Sequence, residues 1–334
     1  MTLPRSGGVI APPPEPPVRG NLFARVKALD APWALSFAGA VLVWGATVGF
    51  FGLPVAANVL QTALVYGIFM VLVGLGQMLV ITSGTGNIDL SVPSTIALAG
   101  VIGMHVMNGA DSRIALGIVA VIGVGLAVGL ANYALIRLLR IPPIIATLSS
   151  SFIIQSVAIT QGADLPAPPA ALGNFATGRF LHVPYLAWLA AVLSLLLAVL
   201  MYRCVFGRRL SAVGQNARAA WLAGVNVHRT RCIAYVLSAV IASLTAVCLS
   251  AVAGGAALDM GVEYMLISIA VVVIGGTLVT GGKASILGVW GASMFLFMMT
   301  SILNAVGADA GVRSLVYGAL IIAVTAIAGG RAPR

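Results

Sequence analysis

The residues that could do chemistry in this chain are few, and their spacing excludes most enzymatic readings. Gly275-Gly276-Thr277 and Gly281-Gly282-Lys283 look superficially like a phosphate-binding loop. The pattern GxxxxGK[ST] needs a glycine where Thr277 stands and a hydroxyl where Ala284 stands, so no ATPase site of its own is expected. His105, His182 and His228 are scattered and form no ligand pair. Cys204, Cys232 and Cys248 show no zinc spacing and read as small apolar side chains. No His/Asp/Glu or Ser/Lys constellation lies at matching depth, which argues against a membrane-embedded enzyme. Asp89 is the one acid of the central region near a membrane boundary. A charge at the centre of a bilayer costs at least ~2.5–3.5 kcal/mol, so it needs partners or water. Two roles fit it: Asp89 or Ser91 caps the following span, with Pro93 in its first turn, or Asp89 and Ser91 line a path. Asn132, Ser149, Ser150, Ser151, Gln155 and Asn304 could hydrogen-bond a hydroxylated solute. Equally, they could join helix to helix, at ~0.6 kcal/mol for each bond.

The elements that must position these residues are spanning helices. Of 334 residues, 60% are hydrophobic and only 8% charged, with a mean hydropathy of +1.08. A soluble surface cannot be solvated by so few charges; soluble domains carry about 25%. A soluble enzyme, a nucleic-acid binder and a disordered tail are excluded. A helix needs ~20 apolar residues to cross a ~30 Å hydrocarbon core. Ten candidate runs lie near 32–54, 60–83, 92–108, 114–136, 144–160, 184–202, 232–254, 264–279, 285–303 and 314–330. The fold class is thus an all-α polytopic membrane protein of about ten spans. Between Thr82 and Pro93 the pattern breaks, either as a surface turn or as a re-entrant break buried in protein. Residues 1–31 are Pro-rich and polar and read as a cytoplasmic tail rather than a signal peptide, ahead of a membrane domain over 32–330.

The net charge of +10 is a matter of topology. With ten spans both termini share a side, assigned here to the cytoplasm. Fifteen of the eighteen basic residues then fall on that side, leaving Arg113, Arg179 and Arg313 outside. This is the bias of the positive-inside rule. Asp111, Asp164, Asp259, Glu263 and Asp309 lie outside as well. Within the spans, Gly125-x-x-x-Gly129 allows close helix approach.

The most informative loop runs over 203–231 and carries six arginines outside the spans. Asn216 can cap a short helix, Ala219 and Ala220 favour it, and Gly224 can end it. Trp221 and Leu222 would be exposed on it. Such a helix either couples to a partner or rests on lipid headgroups through its arginines.

Asn216, Ala219-Ala220 and Gly224 resemble the coupling-loop motif of permease subunits of bacterial ATP-binding-cassette importers. Gly86-Asn87-Ile88-Asp89-Leu90-Ser91-Val92-Pro93-Ser94 is similar to the Gly-Gly-Ile-Asp-Leu-Ser-Val-Gly-Ser segment of the ribose-type sugar permeases, relatives of the branched-chain amino-acid permeases. Ile274 to Thr277 with Gly281-Gly282-Lys283 and Gly288, and Ile145 to Leu148, resemble two further blocks. All four stand in family order across residues 60–330. Asn87 and Pro93 replace glycines, Arg218 replaces a glutamate of the coupling motif, Gln155-Ser156 replace an Arg-Gly pair, and Lys283 replaces an arginine.

The resemblance implies an importer permease of the bacterial inner membrane, for a monosaccharide or similar polyol. It implies partners: an ATPase subunit docked on Asn216, Arg218, Ala219, Ala220, Trp221, Leu222 and Gly224, a periplasmic solute-binding protein, and a second permease copy in a homodimer or heterodimer. ATP and magnesium would sit on the ATPase, with no cofactor, metal or nucleic acid on this chain, which contacts only lipid otherwise. The rival readings are a branched-chain amino-acid or other small-solute permease and, in another class, an ion-coupled secondary transporter. The last normally carries intramembrane acids, and Asp89 is the sole candidate.

Overall fold

The computed structural model of the chain describes residues 32–329; the expected tail over 1–31, with Arg331 and Arg334, lies outside the described residues. The fold is a helical bundle. The helices are α1 (Pro32–Phe51), α2 (Leu53–Thr82), α3 (Val92–Met107), α4 (Ile114–Leu138), α5 (Pro143–Gln161) and α6 (Ala170–Thr177). They continue with α7 (Tyr185–Tyr202), α8 (Val205–Gln215), α9 (Ala217–Leu222), α10 (Val227–Ala253), α11 (Tyr264–Ile274), α12 (Ile286–Ala305) and α13 (Ala310–Gly329). A small antiparallel hairpin, β1 (Arg179–Phe180) and β2 (Val183–Pro184), precedes α7.

Among the described residues, seven helices are long and apolar enough to cross a membrane, and α3 and α11 are shorter apolar helices. With α13, they occupy the ten positions at which hydropathy places spans. Three boundaries move for identifiable reasons. α10 begins at Val227, earlier than the apolar run, because the Asn226 side chain accepts from Arg229 N at 2.9 Å and caps it. α11 stops at Ile274, because Gly275 and the left-handed Gly276 end it. α2 begins at Leu53, since the chain turns at Gly52 with Pro54 in the first turn.

α2 is the axis of the core. From Gly67 to Thr82 every residue is buried, as expected for a helix that is apolar on all sides. α10 packs most extensively along α4, and the Gly125-x-x-x-Gly129 stripe explains how. A Cβ at Gly125 would lie 2.6 Å from Val240 Cα, and one at Gly129 would lie 2.5 Å from Val236 Cα. The two backbones touch only because these positions are glycine.

The break between α2 and α3 is not a surface turn. Ser83, Asn87, Asp89 and Ser91 are all buried, and Thr85 is the one exposed residue of the segment. Non-helical backbone at this depth is tolerable where protein covers it.

Candidate functional site

Two features converge at the end of the bundle that carries the arginine-rich loop. The first is the loop itself. Asn216 caps α9, its side chain accepting from Ala219 N at 3.0 Å. At the other end, Val225 N reaches back to Ala220 O at 3.0 Å, and Gly224 adopts φ +81°. That six-residue closure over a left-handed glycine leaves a helix with a defined start and stop. Ala220 is buried against the bundle, whereas Trp221 and Leu222 are 56% and 69% exposed. The Arg218 guanidinium lies 4.8 Å over the Trp221 ring, a cation–π arrangement that keeps the indole presented outward. Beside α9 opens a cleft of about 960 Å³, lined by Arg137, Arg218, Trp221, Asn226, His228 and Arg229 among others.

Beneath α9, α8 meets both broken segments of the membrane domain. A Cβ at Gly214 would fall 2.0 Å from Thr82 O and 2.3 Å from Gly282 N. Gly282 N itself donates to Thr82 O at 2.9 Å. A Cβ at Gly281 would lie 2.6 Å from Gly84 Cα. Three pieces of main chain, from α8, from the end of α2 with its following segment and from the segment after α11, therefore interlock closely, with the side chains of Gln215 and Arg231 at the edges. Arg231 strengthens the junction by donating through Nε to Ser83 O at 3.2 Å, and Tyr235 donates to Asn87 Oδ1 at 3.2 Å.

The second feature is a polar network that holds the Asp89 segment against α4 and α5. Asp89 Oδ1 accepts from Ser91 N at 2.9 Å and from the Ser91 hydroxyl at 2.6 Å. Asn132 of α4 donates to Ser91 Oγ at 2.7 Å and accepts from the Ser150 hydroxyl of α5. Leu90 N donates to Thr147 Oγ1 at 3.0 Å, and Thr147 donates in turn to Pro143 O at 2.9 Å. Asp89 is buried, and its Oδ2 has no hydrogen-bond partner among the described residues. Ser91 occupies the N-cap position of α3 with Pro93 in the first turn, yet its side chain makes no capping bond. Its hydroxyl is engaged with Asp89 and Asn132 instead, so the pair orders the turn before the helix rather than the helix end.

The structure thus brings Asp89, Ser91, Asn132 and Ser150 together. It does not bring the other candidates to them. Ser149 faces outward on α5, Gln155 donates to Leu258 O at 2.9 Å, and Asn304 is exposed where α12 ends, away from the network. Thr147 was not singled out by itself, although it stands inside the Ile145–Leu148 block. Tyr133, which meets His228 Nδ1 at 3.0 Å in the cleft beside α9, carried no sequence signal beyond being a polar aromatic in a span.

The comparisons with known proteins meet this geometry from the other direction. A family model described as "Branched-chain amino acid transport system / permease component" matches residues 59–325. The chain belongs to that family. It is similar to the autoinducer 2 import system permease protein LsrD of Yersinia enterocolitica, with 30% identity over 87% of this chain and 90% of the relative. It is equally similar to the ribose import permease protein RbsC of Escherichia coli K12, at 30% over 82% of this chain and 85% of that one. The autoinducer 2 import system permease protein LsrC of Salmonella paratyphi B is 28% identical over 76% of this chain and 73% of its own length. No solved structure matches the chain. The protein is a multi-pass membrane permease, the transmembrane subunit of an importer of the ATP-binding-cassette class.

Proposed function

We propose that two copies of this permease, or one copy with a related chain, form the translocation unit of an ATP-driven importer in the bacterial inner membrane, and that the solute is a monosaccharide or similar polyol. An ATPase subunit docks on α9 from the cytoplasm, and a periplasmic binding protein delivers solute at the opposite end. ATP and magnesium are held by the ATPase. The likeness to a ribose import permease supports a sugar-like solute over a branched-chain amino acid, although the family description names the latter. The cytoplasmic placement of α9 and of both termini rests on the basic bias of one end.

One observation carries the reading: the interlock of Gly214 with Thr82 and Gly282 directly behind an exposed, capped α9. A force applied to α9 by a moving partner reaches α8, and α8 cannot shift without displacing the ends of α2 and α11. The chain then supplies two conformations, and a partner biases them only by binding one more tightly than the other. Against ion coupling stands the scarcity of acids within the spans, Asp89 being the one candidate.

The test is uptake by cells that depend on this permease and its partners, paired with topology reporters in the 203–231 loop. Uptake of a pentose, hexose or polyol with the loop reporting as cytoplasmic is the expected result. Uptake of leucine with none of those solutes would overturn the substrate class, and an external loop would overturn the coupling scheme.

A further inference from the structure

The two halves of α2 face different surroundings. From Gly67 onward the helix is enclosed by protein, but between Leu53 and Tyr66 one side is open. That side mixes apolar residues, Val55 and Val65, with polar ones that lipid does not favour. Asn58 and Gln61 are exposed, Thr62 is half-buried, and Tyr66 is 48% exposed. At 100° per residue these four share one face of the helix. At ~1.5 Å rise per residue, Asn58, Gln61 and Tyr66 lie roughly 8, 12 and 20 Å into a helix about 45 Å long, from the edge of the hydrocarbon zone inward. A polar stripe at that depth needs water or protein opposite it.

Facing this stripe is a cleft of about 290 Å³, closed on its other walls by Thr177 at the end of α6, Arg179 and Pro184 of the hairpin, and Val252 of α10. It lies at the end of the bundle opposite the arginine-rich loop. The volume suits a small solute, near the lower bound of typical ligand sites. Its polar groups are amides, hydroxyls and one guanidinium, set among Val65, Ala176, Pro184, Val252 and the Tyr66 ring. Asn58 and Gln61 each bring a carbonyl that accepts and an amide that donates, which matches vicinal hydroxyls. The Thr62 hydroxyl donates to Asn58 O at 2.8 Å, leaving its oxygen free to accept. Tyr66 brings a ring face and a phenol. No acidic side chain lines the cleft, so nothing charged is there to meet an ammonium group.

We infer that the cleft between the Asn58–Tyr66 face of α2 and the hairpin is a contact site for a neutral polyhydroxylated solute as it enters the membrane. The inference rests on the proposed sugar-importer reading and adds a place and a donor set to it. Arg179 could pair an amino acid's carboxylate, but the ammonium group would find no acidic partner among the lining residues. A sugar's hydroxyls match the amides and hydroxyls, and its oxygens can accept from Arg179.

The test uses the complete importer in cells, with Cys204, Cys232 and Cys248 replaced by serine and single substitutions Asn58→Cys, Gln61→Cys and Tyr66→Cys. Val119→Cys and Leu196→Cys, on exposed apolar faces of α4 and α7, serve as lipid-facing controls. The probes are a membrane-impermeant charged methanethiosulfonate and a panel of ribose, xylose, galactose, ribitol and leucine. The α2 cysteines are expected to label at least tenfold faster than the controls. Whichever sugar or polyol the cells take up should slow that labelling several-fold, and leucine should not. Gln61→Ala is expected to raise the KM for that solute at least fivefold with a smaller change in maximal rate. Labelling no faster than the controls, or spontaneous cross-linking of Asn58→Cys between two copies in place of labelling, would overturn the site by showing a face against lipid or a second chain. Labelling unaffected by a solute that is demonstrably transported would overturn the contact role while leaving the importer reading intact. Uptake and protection by leucine alone would overturn the importer's sugar reading itself.

Discussion

The two ends of this bundle are built on opposite principles. At the arginine-rich end, main chain meets main chain: Gly214 against Thr82 and Gly282, Gly281 against Gly84, with Arg231 tying Ser83 down. At the hairpin end, side chains line an open cleft, and a two-stranded ribbon and a short helix form its rim. Backbone packed on backbone has no rotamers to absorb a displacement, which suits the first end to the coupling role proposed for it. A wall of side chains adapts to what enters, which suits the second to the solute contact inferred for it. On that reading one helix serves both, since α2 contributes Thr82 to one and Asn58 to the other.

The comparison is most severely tested at Gly214. Gly214→Val places atoms where Thr82 O and Gly282 N already lie. Overpacking of this kind costs about 1–3 kcal/mol and sometimes more. Uptake should fall more than tenfold, with a lower melting temperature for the purified protein in detergent. Unchanged uptake would mean that the junction is loose and transmits nothing.

Next come the exposed residues of α9. Gly224→Val forces a β-branched residue to φ +81°, and Trp221→Ala removes the outward-facing indole. Both variants should reach the membrane in normal amounts. Transport and solute-stimulated ATP hydrolysis should fall together by several-fold, as loss of an aromatic anchor does at interfaces. Arg218→Glu sharpens the point: it should weaken ATPase co-purification if an acid faces it, and leave it unchanged if the arginine only touches lipid. Coupling intact in both Gly224→Val and Trp221→Ala would favour the headgroup-resting role of α9.

A smaller effect is expected in the network between the ends. Asn132→Leu removes a donor from Ser91 Oγ and an acceptor from the Ser150 hydroxyl, which keep Asp89 Oδ1 and Thr147 O as partners, so the loss should be about 0.5–1.5 kcal/mol per bond, read as a lower melting temperature. Asp89→Asn keeps an Oδ1 acceptor for Ser91 and alters only the unpartnered Oδ2, so its melting temperature should change less. A larger loss for Asp89→Asn than for Asn132→Leu would show that the carboxylate charge is used.

The smallest effect should come at Gln77, buried in α2 with neither side-chain polar atom bonded among the described residues. Gln77→Met should preserve or raise the melting temperature, because an unpartnered buried amide is costly. A drop in transport without a drop in stability would assign the amide to the working cycle.

Much of this was legible in the sequence, and what was not follows from how each signal arises. The spans were readable because hydropathy is a property of long stretches, and the α9 caps because Asn216 and Gly224 act on neighbours in sequence. Asn132 was readable as a polar residue in a span, but its partners Ser91 and Ser150 come from other helices and only folding selects them over Ser149. The junction left a partial trace: Gly281 and Gly282 stand in a block that resembles the family, but nothing local distinguishes Gly214 from Gly123, whose Cβ would meet open space. α8 and α6 were missed because neither forms an apolar run. Asn58 escaped notice because polar residues at the edge of a run blur into the adjoining loop.

The brevity of α11 carries a consequence for how the protein is made. Eleven residues rise only about 16 Å, roughly half the hydrocarbon thickness, and the chain beyond Ile274 is non-helical until Ile286. That irregular stretch finds its cover in Gly288 of α12, in Thr82 and Gly84 after α2, and in Gln215 of α8. A nascent chain that has just emerged with α11 therefore has no lipid-compatible place to put it. Insertion is expected to hold this segment back until α12 has followed and the earlier helices stand ready, so that α11 and α12 enter the membrane as a block.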